Sequence, residues 1–260
     1  MIPKIIWLWW EQGWNNAPFI CSYTLNSFKQ MNPQFKINLV GRDNINDFID
    51  TKYNWLFNCE GAAFRADIIR LLLLQKYGGV YADAATFCCI NILTFIDEIN
   101  FNQFWGFDIK SFNKKRNDKR TLCSWFYISM PNTYIINNFT NAFLQNAKTN
   151  PIKHDYYLHH HTLTDLIEND KQFQLWYNNL TKISGFKNRI HANFLSYPST
   201  TILKETEWFH PNDIEFLVKN KKFKILKLRH KNIAGKNQLL KDGTFFRLII
   251  DTYLPHSEIN

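Results

Sequence analysis

With 260 residues, 45% hydrophobic and 17% aromatic, the chain carries enough apolar material for one α/β domain or two small ones, and its sparse Gly and Pro exclude collagenous, low-complexity and disordered classes. Lys and Arg number 31 against 22 Asp and Glu, a net charge of +9, which predicts attraction to polyanions: nucleic acid, nucleotide phosphates or an anionic membrane surface. Five cysteines, at 21, 59, 88, 89 and 123, form an odd set without a CxxC pair, which points away from a zinc site or a complete disulfide framework and toward reduced thiols.

The opening MIPKIIWLWWEQGW has an apolar run over residues 5–10 only, too short for a signal segment and far below the roughly 20 residues that span a bilayer. KIIWLWW reads as a buried first strand, apolar without alternation, as central parallel strands are. It stops at Glu11-Gln12-Gly13. A helix is expected over 17–31 and a strand over 35–41, which together make an opening β-α-β unit of a parallel sheet. A short helix follows over 44–50. The clearest helix spans 61–77: alanines first, leucines through the body, Lys76 in the last turn, and Gly78 placed for a left-handed stop. Val80, Tyr81 and Ala82 form a strand that delivers the chain to Asp83.

Strands are also expected over 104–107 and 124–129. Between them lies the basic cluster Lys114, Lys115, Arg116, Lys119 and Arg120, read as a solvated loop able to touch phosphates or lipid head groups. Helices over 134–147 and 162–169 and a late strand over 223–228 complete the series. Neither a repeat nor a Pro-, Gly- or Ser-rich linker divides the chain, so a single domain over 1–260 is expected.

Asp67 and Arg70 stand three apart on the predicted helix and share a face. Such a spacing is usually a surface ion pair of little energetic weight, yet here the neighbours are nearly all apolar. In open α/β sheets ligands bind outside the carboxyl ends of strands, where Asp83 falls. The run His159-His160-His161 is not a metal site by spacing, because adjacent side chains diverge, and it reads as a helix entry or, on the resemblance given below, a segment on the acceptor side. Asp108 and Asp155 are further carboxylates with no spacing argument behind them.

The segment FRADIIRLLLLQKYGGVYADA resembles a glycosyltransferase signature in which a helix bearing Ser-Asp-x-x-Arg leads through Tyr-Gly-Gly to a strand ending in Asp-x-Asp. IPKIIWLWWEQGWNNAP, SWFYISMPNTYII, DYYLHHHTL and ILKLRHK extend the likeness in order along most of the chain. The sequence is similar to the capsular polysaccharide synthesis glycosyltransferases, relatives of the DXD-bearing sugar-binding enzymes. That resemblance implies a GT-A type, Rossmann-like α/β fold with a mostly parallel sheet flanked by helices. The donor would bind the N-terminal part, roughly residues 1–110, and the remainder would serve the acceptor and a closing C-terminal segment.

The implied reaction moves a hexosyl unit from a UDP- or GDP-sugar, with retention, to a hydroxyl of a capsule or lipopolysaccharide glycan, free or lipid-linked. The implied setting is bacterial and cytoplasmic, with peripheral contact at an anionic membrane, and no nucleic-acid partner is expected. Trp10 matches the position of an aromatic against the base, unless it is simply a core tryptophan. Asp67, Arg70 and Tyr81 match donor-binding positions, and Asp83 the first acid of the DXD, a metal ligand. Ala85 replaces the second acid, so a Mn²⁺ or Mg²⁺ ion would need the diphosphate and a further side chain. His230 is the candidate for that role, its bland alternative being a surface histidine, while Lys227 and Lys231 are candidates for direct diphosphate contact. Two rival readings are a non-catalytic relative that binds nucleotide or glycan, and a basic nucleic-acid-binding protein. No catalytic base or nucleophile is assigned.

Overall fold

The computed structural model describes residues 1–110, 120–149, 155–185, 218–228 and 235–254, and the backbone alone at 189–190. In chain order the strands are β1 (Ile5–Trp9), β2 (Lys36–Val40), β3 (Gly79–Asp83), β4 (Thr86–Cys88), β5 (Phe104–Asp108), β6 (Leu122–Ser129), β7 (Arg189–Ile190) and β8 (Ile225–Leu228). The helices are α1 (Phe19–Met31), α2 (Ala62–Tyr77), α3 (Ile92–Glu98), α4 (Tyr134–Thr149), α5 (Leu158–Asn169), α6 (Lys171–Asn179), α7 (Lys236–Leu239) and α8 (Phe245–Tyr253). Two compact units emerge. Met1–Asn16, Phe35–Asp83 and Asp97–Gly185 form the first, and Ala17–Gln34, Ala84–Ile96 and Phe186–Asn260 the second.

The first unit holds a five-stranded sheet in the order β2-β1-β3-β6-β5. Strand β1 runs parallel to both β2 and β3, as the opening of the sequence predicts. Strand β6 runs antiparallel to β3 and to β5, so the sheet is mixed where a mostly parallel one was expected. The reason lies in burial: β5 is buried throughout and β6 nearly so, and a strand apolar on both faces reads the same in either direction.

Helix α2 presents no polar face for most of its length. Ile68 through Leu74 are all buried, which marks a helix enclosed by packing rather than lying on a surface. Gly78 (φ +64°) stops it, its N–H donating to the Leu74 carbonyl at 2.9 Å. Gly79 (φ +89°) then brings the chain hard against β1: a Cβ there would stand 2.4 Å from the Ile5 carbonyl oxygen. The glycine pair thus does more than end a helix, because it permits the register in which Ile6 faces Val80 and Trp9 faces Asp83. The carboxyl ends of β1, β2 and β3 consequently lie along one edge.

The core beneath is largely aromatic. Phe104 packs on Tyr127 at a centroid distance of 4.8 Å and on Trp176 at 5.7 Å, while the Trp7 and Trp176 indoles donate to the carbonyls of Gly78 and Phe104. Much of the aromatic content is therefore spent on packing. Helix α5 begins at Leu158, one turn ahead of the predicted 162, because Asp155 starts it: its carboxylate accepts from the Tyr157 N–H and its carbonyl from that of Leu158.

In the second unit β4 pairs antiparallel with β8, which pairs parallel with β7. Buried polar side chains of α1 tie it to the β4 segment: Thr24 donates to the Ala84 carbonyl at 2.5 Å, and Ser27 accepts from the Cys88 N–H at 2.8 Å. Helix α8 buries Phe245, Phe246, Ile249, Ile250 and Tyr253. All five cysteines are free thiols. Among the described residues no helix is long and apolar enough to cross a membrane.

Candidate functional site

At the carboxyl edge of β3, the helix and strand bring three charges together. The Arg70 guanidinium donates through Nη1 to Asp67 Oδ1 and through Nη2 to Asp83 Oδ1, the latter at 3.1 Å. The Asp67–Arg70 pair follows from their spacing on α2; Asp83 joins only because β3 returns alongside. Tyr81 lies beneath, fully buried, its ring 5.0 Å from the guanidinium carbon and its hydroxyl donating to Asp83 at 3.4 Å.

Exposure is graded across this group. The Arg70 side chain is 3% exposed, Asp67 13% and Asp83 29%, so the cation is enclosed and its two carboxylates form the rim. An ion pair buried on a helix face is not the ordinary surface pair that i,i+3 spacing usually means. Burial pushes the Asp67 carboxyl up to about 7, with Arg70 pulling the other way and Asp83 adding to the rise. Burial by itself would depress Arg70, but Asp67, Tyr81 and Asp83 outweigh it and hold the guanidinium firmly charged. A rigid cation clamping two rim carboxylates offers acceptor oxygens to a ligand rich in hydroxyls.

Sequence reasoning missed the layer behind Asp67. His159, buried on α5, places Nδ1 3.8 Å from Asp67 Oδ1 and bonds through Nε2 to the Tyr127 hydroxyl at 2.9 Å. Its signal was present once α5 is extended by a turn, since His159 then shares a face with Thr162 and Leu163, both buried. The three histidines do diverge. His160 Nδ1 bonds to the Leu122 carbonyl at 2.8 Å and His161 pairs with Asp155 at 2.8 Å. Neither of the remaining carboxylates is at the rim: Asp108 is buried and accepts from the Tyr177 hydroxyl at 2.5 Å, and Asp155 serves the start of α5.

Trp10 is partly buried just past β1, its backbone N–H donating to the Val40 carbonyl at 2.9 Å. The loops that follow β1 and β2 enclose a groove of about 450 Å³ lined by Glu11, Gln12, Gly13, Asn15, Asn16, Arg42 and Asp43. Glu11 is held by Arg65, which points away from the Asp67 cluster and donates to both Glu11 oxygens at 2.8 and 3.0 Å. Lys227 lies on β8 of the second unit, opposite Thr86. His230, Lys231 and the basic residues 114–116 and 119 lie outside the described residues; Arg120 stacks on the Tyr157 ring at 4.7 Å.

For a divalent cation the donor set is thin. Asp83 already receives Arg70 and Tyr81 on Oδ1, Ala85 is buried and offers no oxygen from its side chain, and among the described residues no three His, Cys, Asp or Glu side chains are grouped to hold a metal ion. The described residues do not by themselves fit a resident cation.

The profile of the capsular polysaccharide synthesis protein family matches residues 1–231. The chain belongs to this family. Among curated proteins, it is 32% identical over 95 residues to inositol phosphoceramide mannosyltransferase 3 of Schizosaccharomyces pombe, a match covering 34% of this chain and 25% of that protein. It is 25% identical over 97 residues to the O-glycosyltransferase braB of Annulohypoxylon truncatum, covering 32% of this chain and 23% of that one. These matches span about a quarter of the length of the curated relatives. Among solved structures, the PaToxG glycosyltransferase superposes with a TM-score of 0.45 at 15% identity, over 68% of this chain and 76% of that one. As a capsular polysaccharide synthesis family member, the chain carries its resemblance-bearing helix and strand as α2 and β3, with Asp67, Arg70 and Asp83 in contact.

Proposed function

We propose that the chain is a glycosyltransferase of GT-A type that moves a hexosyl unit from a UDP- or GDP-sugar to a hydroxyl of a capsule or lipopolysaccharide glycan, free or lipid-linked. The observation that carries the reading is the enclosed Arg70 clamping Asp67 and Asp83 at the rim of the β3 edge. Membership of the capsular polysaccharide synthesis family and similarity to proteins named as a mannosyltransferase and an O-glycosyltransferase support it.

In this reading Asp67 and Asp83 accept hydrogen bonds from the donor's sugar hydroxyls, and Arg70 fixes both carboxyl groups in place. The nucleoside lies along the same edge toward Trp10 and the groove after β1 and β2. The bond from the anomeric carbon to the diphosphate breaks, the bond from the acceptor oxygen forms on the same face, and the acceptor hydroxyl loses its proton. Positioning and stabilisation of the departing diphosphate supply the rate, with Lys227, Lys231 and His230 as the basic groups for that anion. A Mn²⁺ or Mg²⁺ ion would arrive with the diphosphate, Asp83 offering it one carboxylate. The enzyme would work in the bacterial cytoplasm, its positive charge favouring the anionic inner face of the membrane.

The test is incubation with a panel of nucleotide-sugars, with and without Mn²⁺, measuring binding and slow donor hydrolysis. Donor binding with hydrolysis supports the proposal. Binding without hydrolysis or transfer favours a non-catalytic relative, the reading that Ala85 motivates, and RNA binding without nucleotide-sugar affinity favours a nucleic-acid-binding protein.

A further inference from the structure

His159 is enclosed on every side, its side chain 0% exposed, stacked on Tyr127 and packed between Phe139 and Phe143 at centroid distances of 4.9 and 5.3 Å. A histidine serving only as an apolar filler would have both ring nitrogens against apolar groups. Both ring nitrogens, however, meet polar groups.

Tyr127 is buried, and the hydrogen-bond partner of its hydroxyl is His159 Nε2. A buried phenolic O–H needs an acceptor, and among the described residues Nε2 is the one it bonds. If Nε2 accepts, the ring proton of the neutral imidazole must sit on Nδ1. Nδ1 is buried without a hydrogen-bond partner among the described residues, and its nearest charged group is Asp67 Oδ1 at 3.8 Å. The opposite tautomer would aim a nitrogen lone pair at the carboxylate and strand the tyrosine proton. Two repulsive or unmet contacts would replace two favourable ones.

The same oxygen, Asp67 Oδ1, also receives Arg70 Nη1. Two donors from different elements, α2 and α5, thus converge on one oxygen, and Oδ2 is engaged by neither. At 3.8 Å the histidine contact is longer than a hydrogen bond and acts as an oriented dipole.

We infer that His159 is a positioning residue for Asp67: locked as the Nδ1–H tautomer by the Tyr127 hydroxyl, it turns the Asp67 carboxylate so that Oδ1 faces inward and Oδ2 outward. Its consequence for donor binding rests on the function proposed above, whereas the tautomer itself does not. Burial, aided by Arg70 and His160, keeps the imidazole well below its ordinary pKa, so the ring is uncharged at neutral pH.

The experiment is nitrogen NMR on protein with ¹⁵N-labelled histidine at pH 7, the His159 resonances being identified by their loss in His159→Asn. Expected are a protonated Nδ1 and an unprotonated Nε2, and in Tyr127→Phe, which lacks the hydroxyl, a shift of population toward Nε2–H. A protonated Nε2 or a charged ring in the wild-type protein overturns the inference. A second arm compares His159→Asn, whose amide nitrogen replaces Nδ1, with His159→Gln, whose amide reaches the Nε2 position. With circular dichroism and urea midpoints of the two matched, affinity for UDP-glucose or GDP-mannose, whichever binds the wild type, should fall roughly tenfold or more in the Gln variant and be largely kept in the Asn variant. Equal losses in both would reduce His159 to a packing residue. If no member of a panel of UDP- and GDP-hexoses binds the wild-type chain, the proposed function is at fault, and the tautomer alone decides the positioning assignment.

Discussion

Arg70→Met keeps the apolar stem of the side chain and removes the charge that sits between Asp67 and Asp83. With Arg70 3% exposed and Asp67 13%, the loss leaves a nearly enclosed carboxylate without its counter-charge, a change that costs about 3–5 kcal/mol in comparable buried pairs. For a chain of this length that corresponds to a fall in Tm of roughly 6–20 °C. The deficit should depend on pH. Folded Asp67 is raised to about 7, above its unfolded value of about 3.9, so the folded state holds the proton longer. Stability from that protonated form is present at low pH and is lost as pH rises through the folded pKa. Removing Arg70 removes the one influence that lowers this carboxyl and leaves burial and Asp83, which raise it. Urea unfolding of wild type and variant at pH 5 and pH 8 should therefore show a deficit larger at pH 8 than at pH 5 by up to about 1.4 kcal/mol, the worth of one pH unit above the folded pKa. Asp67→Leu in the Arg70→Met background should recover much of it. A deficit equal at both pH values would refute the claim that an ionised, enclosed Asp67 is what Arg70 compensates.

Asp67→Ala and Asp83→Ala should each abolish glycosyl transfer while keeping the circular dichroism spectrum of the wild type; measurable turnover in either variant removes that residue from the donor site. Gly79→Ala should lower the unfolding free energy measured in urea by at least about 1–3 kcal/mol for its backbone conformation alone, with the clash on the Ile5 carbonyl added. Gly235→Ala, where a Cβ meets nothing within 4 Å, should stay within about 0.5 kcal/mol of wild type and serves as its control. Burial pushes the Cys21 thiol up to about 12, against the pull of Lys227, and pushes Cys88 up to about 12 as well. Iodoacetamide at pH 8 should leave both unmodified in the native protein and label them in urea, as read by peptide mass spectrometry.

Local rules were enough for much of this chain. The unbroken apolar run of β1, the alanine-to-leucine body of α2 and the glycines behind it specify strand, helix and stop through near-neighbour sterics and burial, and the i,i+3 spacing places Asp67 beside Arg70. The reading of these residues and Asp83 as a donor site rests on resemblance to a family; the match over residues 1–231 bears out the family, and the donor site stands as a proposal. Tertiary contacts decided the rest. Strands β5 and β6 are apolar on both faces, and nothing in such a run states direction, so the antiparallel half of the sheet follows from pairing alone. Asp83 meets Arg70 only because Gly79 lets β3 lie against β1. His159 reaches Asp67 from 92 residues away in sequence, through the packing of α5 on β6 and α4, and no spacing rule spans that distance, because a contact between remote segments is set by how their surfaces fit rather than by the residues flanking either one.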